Sequence, residues 1–161
     1  MRKLLVLLAS VWILGAGLAS TAALAEGGYG KQKVVYHING DDAAQQKAAL
    51  GNIQNHINAV GAENLDLRVV MHGNGVSMVM LPEAVGRVKN MKAGNAGPQQ
   101  QAKIDNLKAQ GVKFEICNNT LKGRNIDPLN DLYMVEETDI VPSGVAELAH
   151  LESQGFMYIK P

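Results

Sequence analysis

The run "KVVYHINGDD" (Lys33 to Asp42) decides the fold class. Residues 33–38 form a compact β-branched and aromatic run, the composition of a strand. Asn39-Gly40 is a turn signal, and Asp41 or Asp42 can cap a helix by accepting its unpaired N–H groups. In that helix Leu50, Ile53, Ile57 and Val60 fall on one face, and Gly61 supplies the stop. A strand that turns at once into such a helix is half of a strand–helix–strand unit.

The same alternation continues outward. "LDLRVVMH" (65–72) reads as a second strand. "GNGVSMVMLPEAVGRVKNM" (73–91) suits two short helical pieces interrupted at Pro82, and the Gly-rich "MKAGNAGPQQ" (91–100) an exposed loop or lid. Pro98 opens a helix to Ala109 with Ile104 and Leu107 inward, and Gly111 ends it. "VKFEIC" (112–117) is a third strand, Asn118 to Asn125 a short helix, and Asp127-Pro128 the centre of a polar loop. "DIVP" (139–142) makes a short strand, Ser143 caps a helix carrying Val145, Leu148 and Leu151, and "FMYIKP" closes the chain as a fifth strand after Gly155. Strands alternating with helices predict an α/β layered fold with a mainly parallel sheet. Strand order does not follow from the pattern.

The first residues, "MRKLLVLLASVWILGAGLASTAALA", carry Arg2 and Lys3, an apolar run from Leu4 to Leu18, and Ala23-Leu24-Ala25. That order predicts a cleaved bacterial export signal over 1–25, a mature domain over 26–161 and a periplasmic address. Losing 25 of 161 residues leaves 136, the size of one domain. Losing Arg2 and Lys3 takes the basic residues from 15 to 13 against 15 acidic ones, which gives no electrostatic case for nucleic acid. The single Trp, Trp12, leaves with the signal, and no membrane association is expected afterwards.

In open α/β sheets functional groups collect beyond the carboxyl ends of the strands. Those ends read "HINGDD", "HGNG" and "CNNT", so parallel strands would bring His37, Asn39, Asp41, His72, Asn74, Cys117, Asn118 and Asn119 to one rim. Gly73-Asn74-Gly75 is either a tight turn or a cradle whose N–H groups hold an anion. His37, inside an apolar strand, reads first as a satisfied core histidine, while His56 and His150 fall on helices as surface residues. No cofactor is expected, because "GNG" lacks the third glycine of a dinucleotide fingerprint. No metal is expected either: Cys117, the rim histidines and Met71, Met78 and Met80 suggest soft ligands, but no HxxxH, CxxC or MxxM spacing gathers them.

Cys117 is the one cysteine. In an oxidising compartment it is buried and inert, paired with another chain, or reactive. The "NNT" that follows signals a helix start, where unpaired N–H groups favour the thiolate, and Lys122 and Arg124 stand close in sequence. A thiolate is the form that attacks sulfur.

With "KVVYHINGDD", "LRVVMHGNGV", "VKFEICNNTL" and "VPSGVAELAHLESQGFMYIKP" in view, the chain resembles the DsrE/DsrF-like family of small sulfur-relay proteins, in an exported form. The resemblance implies a three-layer α/β/α domain assembled as trimers or hexamers. It also implies that Cys117 carries sulfur as a persulfide between donor and acceptor proteins or small sulfur compounds; from the strand-end reading, His72, Gly73, Asn74, Gly75, Asn118, Asn119, His37 and Asn39 are the residues expected to support it. The alternative is a non-catalytic oligomeric module that binds a ligand or partner and in which Cys117 only packs.

Overall fold

A computed structural model describes residues 28–161; the expected export signal and its cleavage point lie outside the described residues. Five strands, β1 (Gln32–Ile38), β2 (Leu65–Met71), β3 (Lys113–Cys117), β4 (Ile140–Val141) and β5 (Met157–Ile159), form one sheet in the order β4-β3-β2-β1-β5. Every pairing is parallel. The helices are α1 (Ala43–Val60), α2 (Pro98–Ala109), α3 (Asn118–Arg124), the single turn α4 (Pro128–Asp131) and α5 (Gly144–Ser153). Among the described residues no helix is long and apolar enough to cross a membrane.

The local signals act as expected where backbone chemistry decides. Asp42 caps α1, its carboxylate accepting from Gln45 N–H at 2.7 Å, and Gly61 ends the helix at φ 89°. Ser143 caps α5 and Pro98 opens α2. The 73–91 stretch makes two 3-10 pieces, Gly73–Met78 and Pro82–Ala84.

Side chains alternate across the sheet, and its two faces differ. Val34, Tyr36, Ile38, Leu67, Val69, Met71, Phe114 and Ile116 join α1, α2 and the 3-10 pieces in one large apolar core. Among the described residues the opposite face carries α5 alone, over a small cluster of Val35, Val70, Leu148, Leu151 and Phe156. Arg68 also lies under Phe156, bridging Asp66 at 2.9 Å and Glu115 at 2.7 Å.

Packing overrules three expectations. The 91–100 segment is no exposed lid: Met91 and Ala96 are buried, and the Asn95 amide donates to Asp41 O at 3.0 Å and to Gln46 Oε1 at 2.8 Å. Its glycines permit close passage, since a Cβ on Gly94 would stand 2.5 Å from Leu81 O. Of the three apolar residues read on the last helix, Leu148 and Leu151 are buried but Val145 is 64% exposed. His56 is half-buried rather than free on the surface, linking Tyr36 Oη (3.1 Å) to Gln32 Oε1 (2.8 Å).

Candidate functional site

Register and strand order build the site. Met71 pairs with Ile116, so His72 and Cys117 leave neighbouring strands side by side. His37 pairs with Val70 and Tyr158 with Val35, which puts His37, His72, Cys117 and Tyr158 on the face that carries α5. The start of α5 closes over them. A Cβ on Gly144 would stand 2.9 Å from His72 Cβ and 3.1 Å from Cys117 Cβ, so only glycine lets the helix come this close.

Cys117 ends β3 and is the residue from which α3 springs. It is a free thiol, 5% exposed. Burial pushes its pKa up, but the backbone N–H of Gly144, the hydroxyl and N–H of Thr120 and the N–H of Asn119 outweigh it and bring the thiol below its ordinary range. Two helix starts, those of α3 and α5, thus converge on one sulfur. The second was not legible beforehand, because "SGV" reads only as a cap until the fold folds α5 back onto β3.

The basic residues expected to help do not reach the sulfur. Arg124 donates to Asn74 Oδ1 at 2.8 Å and to Asn90 O at 3.2 Å, and also meets the Met91 sulfur. Lys122 is exposed. Asn74 is accordingly turned toward Arg124 at the surface.

The Gly73–Gly75 loop is a tight turn with most of its donors in use. Gly73 N–H donates to Thr120 Oγ1 at 2.9 Å, and Gly75 N–H to His72 O at 3.0 Å. Gly75 also passes over β1, where a Cβ would collide with Ile38 O at 2.1 Å. The loop therefore braces Thr120, which in turn serves the sulfur.

His37 and His72 meet through their Nε2 atoms at 2.7 Å, and His37 Nδ1 meets Tyr158 Oη at 2.6 Å. The ring centroids are 4.8 Å apart with 23° between the planes, so the rings join edge to edge rather than face to face. Burial, the neighbouring His72 and Lys160 lower the His37 pKa to about 4. Burial and Lys160 lower that of His72 as well. Both rings are neutral at neutral pH, and one proton lies between the two Nε2 atoms. Tyr158 gives no sign of a site role in the sequence beyond its place in the last strand and in the closing "VPSGVAELAHLESQGFMYIKP" stretch.

The remaining rim residues are dispersed. Asn39 lines a cavity of about 30 Å³ with His37, Gly40, Gln46 and Lys160, room for about one water. Asn118 is half-buried at the start of α3, and the Asn119 side chain is exposed. Met71, Met78 and Met80 are fully buried, and all three belong to the core on the other face, away from Cys117. Among the described residues no group of three His, Cys, Asp or Glu is placed to hold a metal.

One sequence family matches residues 32–161 of this chain. The chain belongs to the DsrE/DsrF-like family. Among solved structures it is similar to a protein of unknown function, MTH1491 from Methanobacterium thermoautotrophicum, at 27% identity and a TM-score of 0.62, covering 81% of this chain and 100% of the other. It shares its fold with the ychN protein from E. coli at 20% identity and a TM-score of 0.51, covering 81% of this chain and 99% of that one. No curated protein matches. The fold of this DsrE/DsrF-like chain is the expected α/β/α arrangement, and its five strands are all parallel.

Proposed function

We propose that this protein carries sulfane sulfur as a persulfide on Cys117, receiving it from one sulfur compound or protein and passing it to another. The observation that carries the proposal is the place of the thiol: Cys117 ends β3, heads α3 and lies against Gly144 at the start of α5, where donors of Gly144, Thr120 and Asn119 lower its pKa. Such donors hold a thiolate ready to attack sulfur and then stabilise it again as a leaving group. With one cysteine in the chain, the persulfide is resolved by a second molecule, so a donor and an acceptor are part of the proposal. The export signal over residues 1–25 puts this exchange in the periplasm, and assembly as a homo-oligomer, trimer or hexamer, belongs to the same reading. Exposed Val145 on α5 and Met157 on the edge strand β5 offer apolar surface for such an assembly.

The low exposure of Cys117 favours a second reading, a binding module in which the thiol packs. Treating the mature protein with polysulfide and weighing it before and after reductant separates the two. The carrier gains one or more sulfur atoms reversibly, and Cys117→Ser gains none. A protein whose mass does not change, with Cys117 unalkylated at neutral pH, is the binding module.

A further inference from the structure

We propose that Tyr158, His37 and His72 form a proton relay between solvent and the outer sulfur of a Cys117 persulfide. The inference rests on the carrier reading above. Cys117 is 5% exposed, so its own sulfur meets little bulk water. Tyr158 lies on the edge strand and is 42% exposed. From its hydroxyl a continuous path of short contacts runs inward, 2.6 Å to His37 Nδ1 and 2.7 Å from His37 Nε2 to His72 Nε2. The path stops at the residue that flanks Cys117 across Gly144. Among the described residues, His72 Nδ1 has no hydrogen-bond partner, so the chain ends in a ring nitrogen open to a further group. A merely structural histidine pair would need neither a surface phenol at one end nor an unengaged nitrogen at the other.

The chemistry requires such a path. In loading, the Cys117 thiolate attacks the outer sulfur of a donor persulfide R–S–SH. The donor S–S bond breaks, R–S⁻ leaves with its electron pair, and Cys117–S–SH forms. A persulfide is more acidic than a thiol, so this proton is then lost and the bound sulfur becomes an anion. In unloading, an acceptor thiolate A–S⁻ must attack that outer sulfur, and two anions repel. Protonation through His72 restores Cys117–S–SH. Attack then gives A–S–SH and the Cys117 thiolate, with the sulfane sulfur unchanged in oxidation state. The relay works while its imidazoles are neutral, since each ring must accept a proton on one nitrogen as it releases one from the other. The charged and titratable groups around the pair keep them so: Lys160 beyond β5 opposes a second positive charge on either ring, Cys117 lies on the β3 side and Tyr158 on the β5 side.

The test loads wild-type mature protein with polysulfide and follows sulfur transfer to glutathione by intact mass, beside Tyr158→Phe and His37→Gln. General acid–base groups contribute about 10²–10⁴-fold, and loss of an outer relay member is expected to slow transfer roughly tenfold. Added imidazole should restore much of the Tyr158→Phe rate by delivering protons directly, while the pH at which Cys117 becomes alkylated stays where it was. Transfer at the wild-type rate in both variants, or a loss that imidazole does not restore, overturns the relay while the carrier reading stands. Wild-type protein that takes up no sulfur overturns the carrier reading itself, and the relay with it.

Discussion

The two faces of the sheet contrast sharply. On one, α1, α2 and the two 3-10 pieces bury a continuous apolar core with Phe114, Leu50, Ile53, Met78 and Met80 fully enclosed. On the other, a single ten-residue helix covers a five-residue apolar cluster, and around it stand Arg68, Glu115, His37, His72, Tyr158 and Cys117. Glu115 keeps one carboxylate oxygen buried without a partner, and burial raises its pKa despite the Arg68 ion pair. The first face supplies stability by removing apolar surface from water. The second holds polar groups in a poorly hydrated place, which costs stability and shifts their proton affinities.

The largest expected break of this contrast is in the apolar face. Phe114→Ala removes a ring that is 1% exposed and should cost about 3–5 kcal/mol, read as a lower denaturant midpoint. Cys117 should remain as reactive as before in whatever fraction stays folded. An equal loss from a polar-face substitution of similar size would show that the two faces are not divided as described.

Acid tests the other face next. His37 has its pKa lowered to about 4, whereas in the unfolded chain it is near 6.5. Between those values the unfolded state binds the extra proton, so stability is complete above about pH 6.5 and falls as the pH drops toward 4. The loss should approach about 3 kcal/mol, and His37→Gln should flatten that part of the curve in pH-dependent unfolding. A curve equally steep in the variant would place the acid sensitivity elsewhere.

The smallest effect is the most local. Thr120→Val removes the acceptor of Gly73 N–H at 2.9 Å and a hydroxyl that helps to lower the Cys117 pKa. A stability loss of about 1 kcal/mol is expected, together with a higher thiol pKa measured by alkylation rate against pH. An unchanged thiol pKa would assign the activation to backbone N–H groups alone.

Much of the scaffold was legible because it rests on local chemistry. The caps at Asp42 and Ser143, the stop at Gly61, the interruption at Pro82 and the strand runs around Val34, Val69 and Phe114 each depend on residues within a few positions of one another. The 91–100 segment was misjudged for the converse reason. Gly, Asn and Ala look like an exposed loop until Asn95 finds its partners in Asp41 and Gln46, about fifty residues earlier in the chain.

Taken alone, then, the sequence determined the α/β class, the approximate extents of the strands and longer helices, though not α4, which reads as a loop, and the placement of one cysteine between a strand end and a helix start. Only the tertiary structure decided the order β4-β3-β2-β1-β5, and with it that His72 stands beside Cys117 and that His37 and Tyr158 line up behind it. It also decided that Gly144 brings a second helix start to the sulfur, while Arg124 turns away toward Asn74. The physical reason is range. Caps and periodicity act over a turn or two of chain, whereas the environment of Cys117 is assembled from strands whose pairing depends on burying both faces of the sheet at once.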